Sequence, residues 1–377
     1  MKPFIKWAGG KEREIKFFSD YIPNDIHNYI EPFLGGGAVF FYLEDRLRGR
    51  RYINDYSEEL INVYKYVGDY NIDFFNELDS ICHNIDLMSE YSSNTFTSFQ
   101  QCFNNAVINN NYQNELQDLV NECYLYNGNR LYTHLNEYDL EFSQELEKAL
   151  IIKIEKARKL YLRGSIINEE SISKLNETAF KMALYNTIRY AYNHIEDNNN
   201  PYKIAYFLYI REFCYAAMFR YNANGEFNVP YGGMSYNSKN FRSLVNNLRN
   251  NDELRRYLNG WTYIHNRDFE DFLNRIPIHN NDFIFVDPPY DSEFSEYAQN
   301  VFGVEEQTRL ADCLARINAN IMIVIKETDF IRNLYEERGF NIIPFDKKYN
   351  VNFQNRNDRE VTHLIITNYD IQEEENG

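Results

Sequence analysis

The sequence predicts an α/β fold: a mostly parallel sheet assembled from both ends of the chain and flanked by helices, with a helical and hairpin region inserted between the halves. Three observations carry that prediction. Short apolar runs near both ends finish in turns rich in glycine, proline or aspartate, as buried parallel strands do. Strand-like and helix-like patterns alternate within 1–67 and again within 257–377. Between them, in 68–256, the alternation stops and apolar residues recur at three- and four-residue spacing.

The elements follow in chain order. Phe4-Ile5-Lys6-Trp7-Ala8-Gly9-Gly10-Lys11 is an apolar run ending in a glycine turn, with a helical pattern at 15–18. Asn28-Tyr29-Ile30 reads as a strand entering Glu31-Pro32-Phe33-Leu34-Gly35-Gly36-Gly37, and 38–43 turns helical. Arg51-Tyr52-Ile53-Asn54 is a second strand, ending at Asp55 before a helix over 58–67. Helices are expected over 118–126, 143–163 and 177–195. The Asn-rich stretch 104–114 is expected to be loop, and Asn198-Asn199-Asn200-Pro201 is a break. Glu226-Phe227-Asn228-Val229 with Gly225 predicts a hairpin. The α/β rhythm then resumes with a strand over 282–286, a helix over 305–317, a strand over 321–325, a helix over 330–338 and a strand over 362–367.

Composition narrows the class. The chain has 377 residues, 44% of them hydrophobic, enough to bury a sizeable core. It contains no run of eighteen apolar residues and no secretory-type leader at its start, so no membrane partner is expected. Cys82, Cys102, Cys123, Cys214 and Cys313 are scattered without CxxC spacing, which argues against a zinc knuckle or disulfide framework and for a reducing cytoplasm. A net charge of −17 weighs against a polyanionic partner. However, residues 65–150 alone carry 14 acidic and 3 basic side chains, so a single segment able to face away from phosphates holds most of the excess.

Two turns carry chemistry. Gly35-Gly36-Gly37 follows a strand and opens a helix, where ligands of open parallel sheets sit and where helix N–H groups are free. Asp55 lies 18 residues beyond Gly37, a spacing that lets an acid reach both hydroxyls of a ribose. Such a turn suits NAD, FAD or S-adenosylmethionine, or is purely structural. Val39 and Phe40 stand where a pyrophosphate needs small residues, which favours a cofactor without phosphates. The second turn, Asp287-Pro288-Pro289-Tyr290, ends a buried strand. Two prolines there hold the chain extended and leave carbonyl oxygens toward the cleft, between an acid and an aromatic.

These stretches resemble the Dam-type DNA adenine methyltransferases, the alpha-ordered group with the cofactor motif first and the catalytic motif last. The resemblance rests on Lys6 to Lys11, Glu31 to Gly37, Asp55, Asp287 to Tyr290, and a block from Phe219-Arg220-Tyr221-Asn222 through Gly225 to Pro230-Tyr231-Gly232. It covers 1–67 and 202–367 and leaves the acidic helical insertion largely unmatched. It implies a Rossmann-like, S-adenosylmethionine-dependent methyltransferase domain at 1–67 and 257–377, and a target-recognition region at 68–256. It places Trp7, Ala8, Gly9, Gly10, Lys11, Glu31, Pro32, Phe33, Gly35, Gly37, Asp55 and Asp287 at the cofactor, with Asp268 and Phe269 around the cofactor's adenine. Asp287, Pro288, Pro289 and Tyr290 would meet the target base.

The implied chemistry explains those residue types. The N6 lone pair of adenine is delocalised into the ring and is a poor nucleophile. The Asp287 carboxylate and Pro288 carbonyl would accept its two hydrogens and localise the lone pair, while Tyr290 stacks on the base. The adenine must first leave the duplex. No metal is required for direct displacement at a sulfonium.

The partner implied is double-stranded DNA, entered by the helix and hairpin around 211–232. Tyr215 would be the wedge and Arg220 a guanine reader, with Asn222 and Pro230 in the same block. Lys239, Arg242, Arg249, Arg255 and Arg256 would supply phosphate contacts. Ala216-Ala217-Met218 stands where GATC-reading members carry Asn-Gly-Leu, so that recognition sequence is not carried over. A basic segment at Lys347-Lys348-Tyr349-Asn350 resembles the family less closely. A companion restriction endonuclease and a nucleoid-associated, cytoplasmic location fit the same family. An RNA, protein-amide or cytosine amine as substrate, or a non-catalytic DNA-binding module, are the competing readings. Against them stands the 220–232 block, for which reading DNA is the evident use.

Overall fold

The computed structural model describes residues 1–7, 9–109, 112–127, 131–289, 302–347 and 361–370. The chain forms two compact units, Met1–Asp69 with Asp252–Gly377, and Tyr70–Asn251. The first opens with helix α1 (Ile15–Phe18), strand β1 (Tyr29–Glu31), helix α2 (Ala38–Tyr42), strand β2 (Arg51–Asn54) and helix α3 (Glu58–Gly68). Ser57 caps α3 by accepting the Leu60 N–H.

The second unit is helical: α4 (Ile72–Asn94), α5 (Phe96–Asn109), α6 (Gln113–Asn127), α7 (Asp139–Leu162), α8 (Glu169–His194), α9 (Pro201–Phe213) and α10 (Phe241–Arg249). Several asparagines have a structural use here. Asn71, Asn168, Asn200 and Asn240 each cap the following helix through a side-chain oxygen. Asn200 does so just ahead of Pro201, whose missing N–H is harmless in a first turn. The stretch 104–114 departs from the sequence expectation. Most of it is helical, because α5 runs on to Asn109 and α6 starts at Gln113, and 110–111 lie outside the described residues. Phe99, Cys102, Phe103 and Ala106 are buried at helical spacing, and that burial overrides the weak helix propensity of the intervening asparagines. The expected hairpin is also slighter than a strand pair. It consists of isolated antiparallel bridges, Tyr221 with Phe227 and Cys214 with Tyr231, around the Asn222–Gly225 turn.

The first unit resumes with α11 (Asp252–Asn259), β3 (Thr262–His265), α12 (Phe269–Arg275), β4 (Phe283–Val286), α13 (Val304–Ala315), β5 (Asn320–Lys326), α14 (Asp329–Glu336), β6 (Asn341–Lys347) and β7 (Val361–Thr367). The strands form one seven-stranded sheet in the order β3-β2-β1-β4-β5-β7-β6. All neighbours are parallel except β7, which runs antiparallel to both β5 and β6. Both faces are covered. Ile284 and Val286 of β4 belong to the core with Phe272, Leu310 and Leu314 of α12 and α13. Phe283 and Phe285 point the other way, toward Tyr29 and Phe18. Burial on both faces is why β4 reads as an unbroken apolar run.

The junctions of the insertion are pinned within the first unit. The Asn259 amide donates to the Gly68 carbonyl at 2.6 Å. Gly68 lies so near α11 that an added Cβ would meet Asn259 Oδ1 at 2.7 Å.

Candidate active site

The strand order reverses between β1 and β4: β2 and β3 lie on one side of β1, β5 and beyond on the other side of β4. A crevice opens beyond the carboxyl ends of the strands at such a switch point. Both chemistry-bearing turns arrive there, Glu31 to Gly37 from β1 and Asp287-Pro288-Pro289 from β4. All of them but Gly37, which packs against Tyr64 and Phe41, line one cavity of about 830 Å³ together with Trp7, Gly9, Gly10, Lys11, Asp55, Asp268 and Phe269. Ala8 and Tyr290 fall outside the described residues, as do Lys348, Tyr349 and Asn350.

The glycine turn is shaped as much by protein packing as by room for a ligand. Gly35 and Gly37 have φ of +50° and +69°, the left-handed region that side chains avoid. A Cβ on Gly35 would lie 2.8 Å from Trp7 Cδ1, so Trp7 rests directly on the turn. Asp55 closes it from β2: one carboxylate oxygen accepts the Gly35 N–H and the other the Ser57 N–H, both at 2.9 Å. Each oxygen keeps one lone pair for a ligand. Burial raises the Asp55 carboxyl above its ordinary range, against the pull of the Ser57, Gly35 and Tyr56 N–H groups.

Lys11 is the cation of the inner site. It is 2% exposed, and its ammonium lies 2.8 Å from Asp287 Oδ1 and 3.8 Å from Glu14 Oε2. Glu31 is buried beside them and accepts the Tyr29 hydroxyl at 2.9 Å. Burial drives the Glu31 carboxyl well up; the Tyr29 bond opposes this, and the charges of Asp287 and Asp55 add to it.

An aromatic wall faces this polar floor. Phe33 lies 5.6 Å from Phe269 and 5.5 Å from Phe302 between ring centroids. The Arg309 guanidinium stands 4.4 Å over the Phe269 ring and pairs with Asp268 and Glu306. Asp268 also caps α12, accepting the Glu270 and Asp271 N–H groups.

Several contributors carried no sequence signal. Asn54, at the end of β2, donates to the Pro32 and Arg267 carbonyls and accepts the Arg267 N–H, tying three strand ends together. Gln307 of α13 donates to the Pro289 carbonyl at 3.1 Å. Only the position of Asn54 immediately before Asp55 hinted at such a role.

Most of the DNA-contact candidates lie in the other unit, while Arg255 and Arg256 belong to α11 of the first. Tyr215 is 54% exposed on a tight turn in which Ala216 and Ala217 have φ of +54° and +52°. Its N–H donates to the Pro230 carbonyl. Arg220 is exposed, with Nε 3.2 Å from Asn228 Oδ1. The Asn222 side chain is occupied by its own turn, accepting the Asn224 and Glu226 N–H groups and donating to the Glu226 carboxylate. Of the five expected phosphate contacts, Arg242 pairs with Asp86, Arg249 with Asp79 and Arg255 with Asp252, and Lys239 donates to the Glu212 carbonyl. Arg256 is exposed.

A family model described as D12 class N6 adenine-specific DNA methyltransferase matches residues 7–183 and 102–351, overlapping stretches that together span most of the chain. The chain belongs to this family. Relatives match over almost their whole length. A Type II methyltransferase of Paramecium bursaria Chlorella virus NC1A, M.CviBI, is 26% identical over 98% of this chain and 100% of its own. M.MjaIII of Methanocaldococcus jannaschii, also a Type II methyltransferase, is 25% identical over 98% and 99%. The DNA adenine methylase of Haemophilus influenzae is 23% identical over 94% and 90%.

The adenine-specific methyltransferase therefore includes its acidic helical insertion in what it shares with these relatives. That corrects the expectation from motifs alone, in which the insertion was largely unmatched. Among the described residues, no helix is long and apolar enough to cross a membrane.

Proposed function

We propose that the enzyme binds S-adenosylmethionine in the cavity between the β1 and β4 turns and methylates N6 of an adenine flipped out of double-stranded DNA. The observation that carries this reading is the meeting of the glycine turn and the Asp287–Pro289 corner in one cavity at the switch point. The lining fits the cofactor's charge. Beside the buried Glu31, whose carboxyl is driven well up, it holds four carboxyl groups, Asp55, Asp268, Asp287 and Glu306, against the cations Lys11, Arg267 and Arg309. Such a wall suits a sulfonium and an ammonium and repels a pyrophosphate. About 830 Å³ is ample for a nucleoside-sized ligand.

In this reading Asp55 receives the ribose through its remaining lone pairs, and Phe33, Phe269 and Phe302 enclose the adenine of the cofactor. Trp7, Gly9, Gly10 and Lys11 close the cavity on the side of the glycine turn. The bound cofactor supplies an electrophilic methyl group. Asp287 and the Pro288 carbonyl accept the N6 hydrogens, and Tyr290 stacks on the base. Lys11 holds the Asp287 carboxylate in place, and Gln307 holds the corner by engaging the neighbouring carbonyl. In the helical unit, Tyr215 fills the space left by the adenine and Arg220 reads a base edge, on a turn whose shape Asn222 and Pro230 set. The names of the relatives support a Type II, site-specific role beside a companion restriction endonuclease, in the compartment that holds the cell's DNA.

Transfer of radiolabelled methyl from S-adenosylmethionine to unmethylated DNA, followed by nucleoside analysis, tests the proposal. Label in N6-methyladenine is expected from the native enzyme and none from Asp287→Ala, with cofactor binding retained. Label in another base, or substantial turnover by Asp287→Ala, would overturn it.

A further inference from the structure

A second constellation in the catalytic unit lies at the opposite end of the sheet from the cavity. His27 precedes β1, and His279 and Asp282 precede β4. One ring nitrogen of each histidine and one carboxylate oxygen of Asp282 lie within 4.8 Å of one another. His27 Nδ1 stands 2.9 Å from Asp282 Oδ1, and His279 Nδ1 stands 3.3 Å from Oδ2. The two rings meet edge to face at 5.8 Å. The carboxylate is fully buried, whereas the imidazoles are 60% and 57% exposed.

The carboxylate is oriented without help from the imidazoles. Oδ1 accepts the Asn28 N–H at 3.1 Å and the Asn28 amide at 2.8 Å, and Oδ2 accepts the His279 N–H at 2.9 Å. The Asn28 amide is itself fixed, because its oxygen accepts the Arg50 N–H at 2.8 Å. Its nitrogen therefore faces the cluster, 2.9 Å from His27 Nδ1. That places His27 Nδ1 between a group that only donates and a carboxylate that only accepts. A protonated Nδ1 opposes the amide, and a bare Nδ1 sets its lone pair against Asp282. A cation shared by Nδ1 and the carboxylate removes the second conflict.

We infer that His27, His279 and Asp282 form a binding site for a divalent transition-metal ion of the zinc type, with water completing the shell. Two imidazoles and one carboxylate suit zinc and its neighbours, whereas magnesium and calcium take oxygen-rich sets. Ligand bonds of about 2.0–2.2 Å place tetrahedral donors about 3.3 Å apart. His279 Nδ1 and Oδ2, which accepts a single N–H, already lie at that spacing, and the exposed His27 imidazole is free to close the remainder. The Asn28 bonds act as the outer support that aims a ligating carboxylate. The site is a clip. It joins the segment entering β1 to the segment entering β4, the central strands contributed from opposite ends of the chain.

The test uses the full-length enzyme, stripped of metal and titrated with zinc in competition with a chromophoric chelator. One equivalent is expected, with at least tenfold weaker binding in His27→Ala and in His279→Ala. Both side chains are exposed, so these variants leave the core intact, and circular dichroism verifies that. Zinc at a hundred times its Kd is expected to raise the Tm by about 5 °C in the native protein and not in the variants. Magnesium at the same concentration is expected to do nothing. Absence of saturable zinc binding, unchanged affinity in both variants, or an equal response to magnesium would each overturn the inference.

Discussion

Glu77 offers a quantitative test of the helical unit. It lies in α4, 1% exposed, against Tyr206 of α9. Burial pushes its carboxyl from an ordinary 4.5 up to about 7, and the Tyr206 hydroxyl bond only partly opposes the shift. Among the described residues its Oε1 has no hydrogen-bond partner. Each tenfold change in proton affinity corresponds to about 1.4 kcal/mol, so ionising Glu77 in the folded unit costs about 3 kcal/mol. The sign follows from proton counting. Between pH 4.5 and about 7 the folded chain holds this proton and the unfolded chain does not. Stability therefore falls as pH rises through that window and levels off above it. Glu77→Gln removes the titration and keeps the acceptor for Tyr206. Its second polar atom is unpaired, as is that of neutral Glu77, so the two nearly match at low pH. We expect equal stability near pH 4.5 and a variant about 2–3 kcal/mol more stable above pH 8. For a unit of this size that is a Tm difference of roughly 5–10 °C. Urea and thermal unfolding across that pH range measure it. A difference independent of pH, or a variant less stable at pH 8, would refute the reasoning.

Three further outcomes are expected. Gly35→Ala places a Cβ at 2.8 Å from Trp7 Cδ1 in a left-handed backbone, so it should destabilise the catalytic unit by about 2 kcal/mol or more and weaken S-adenosylmethionine binding; calorimetry reads both, and an unperturbed variant would show that the turn is looser than described. Ala216→Gly relieves one of two adjacent left-handed alanines and should raise stability by about 0.5–1 kcal/mol, readable in urea unfolding. Arg220→Ala should relax choice at one base by about 1–3 kcal/mol, and methylation-site mapping that finds an unchanged preference would remove Arg220 from the reader's role.

What the sequence reveals follows burial and punctuation. Arg51–Asn54 and Phe283–Val286 are buried along their whole length and end at an acid, so Phe283–Val286 stands out as an apolar run and Arg51–Asn54 by Tyr52-Ile53 ahead of Asp55. Thr262–His265 forms the outermost strand β3, with no fully buried residue, and leaves no such run. At the other edge, β6 carries Pro344 in its interior, a residue that argues against a strand except where an N–H is not needed. Helix α5 is masked by its asparagines, because helix or loop is decided there by Phe99, Cys102, Phe103 and Ala106 meeting a core. Within the site, the glycine turn and Asp287 are legible because each is a local motif. The Lys11–Asp287 pair is not, since the parallel pairing of β1 and β4 brings those partners together, nor is the Gln307 bond to Pro289, which needs α13 packed back against the end of β4. Asp55 shows the limit of motif reading: its place at the turn is legible, but its commitment to the Gly35 and Ser57 N–H groups is not.

The Asn259–Gly68 bond has a consequence for how the chain is made. The ribosome delivers β1 and β2 long before β3 and β4, so that strand pair waits, both edges bare, for the whole of Tyr70–Asn251 to emerge. An open loop of that length would have to be closed against its own chain entropy. With its two ends pinned through Gly68 and Asn259, the helical unit presents itself to the sheet as little more than a tight connection. The helical unit is thereby a graft on a short stem. Its length and composition can drift without shifting the register of the strands that frame the cavity.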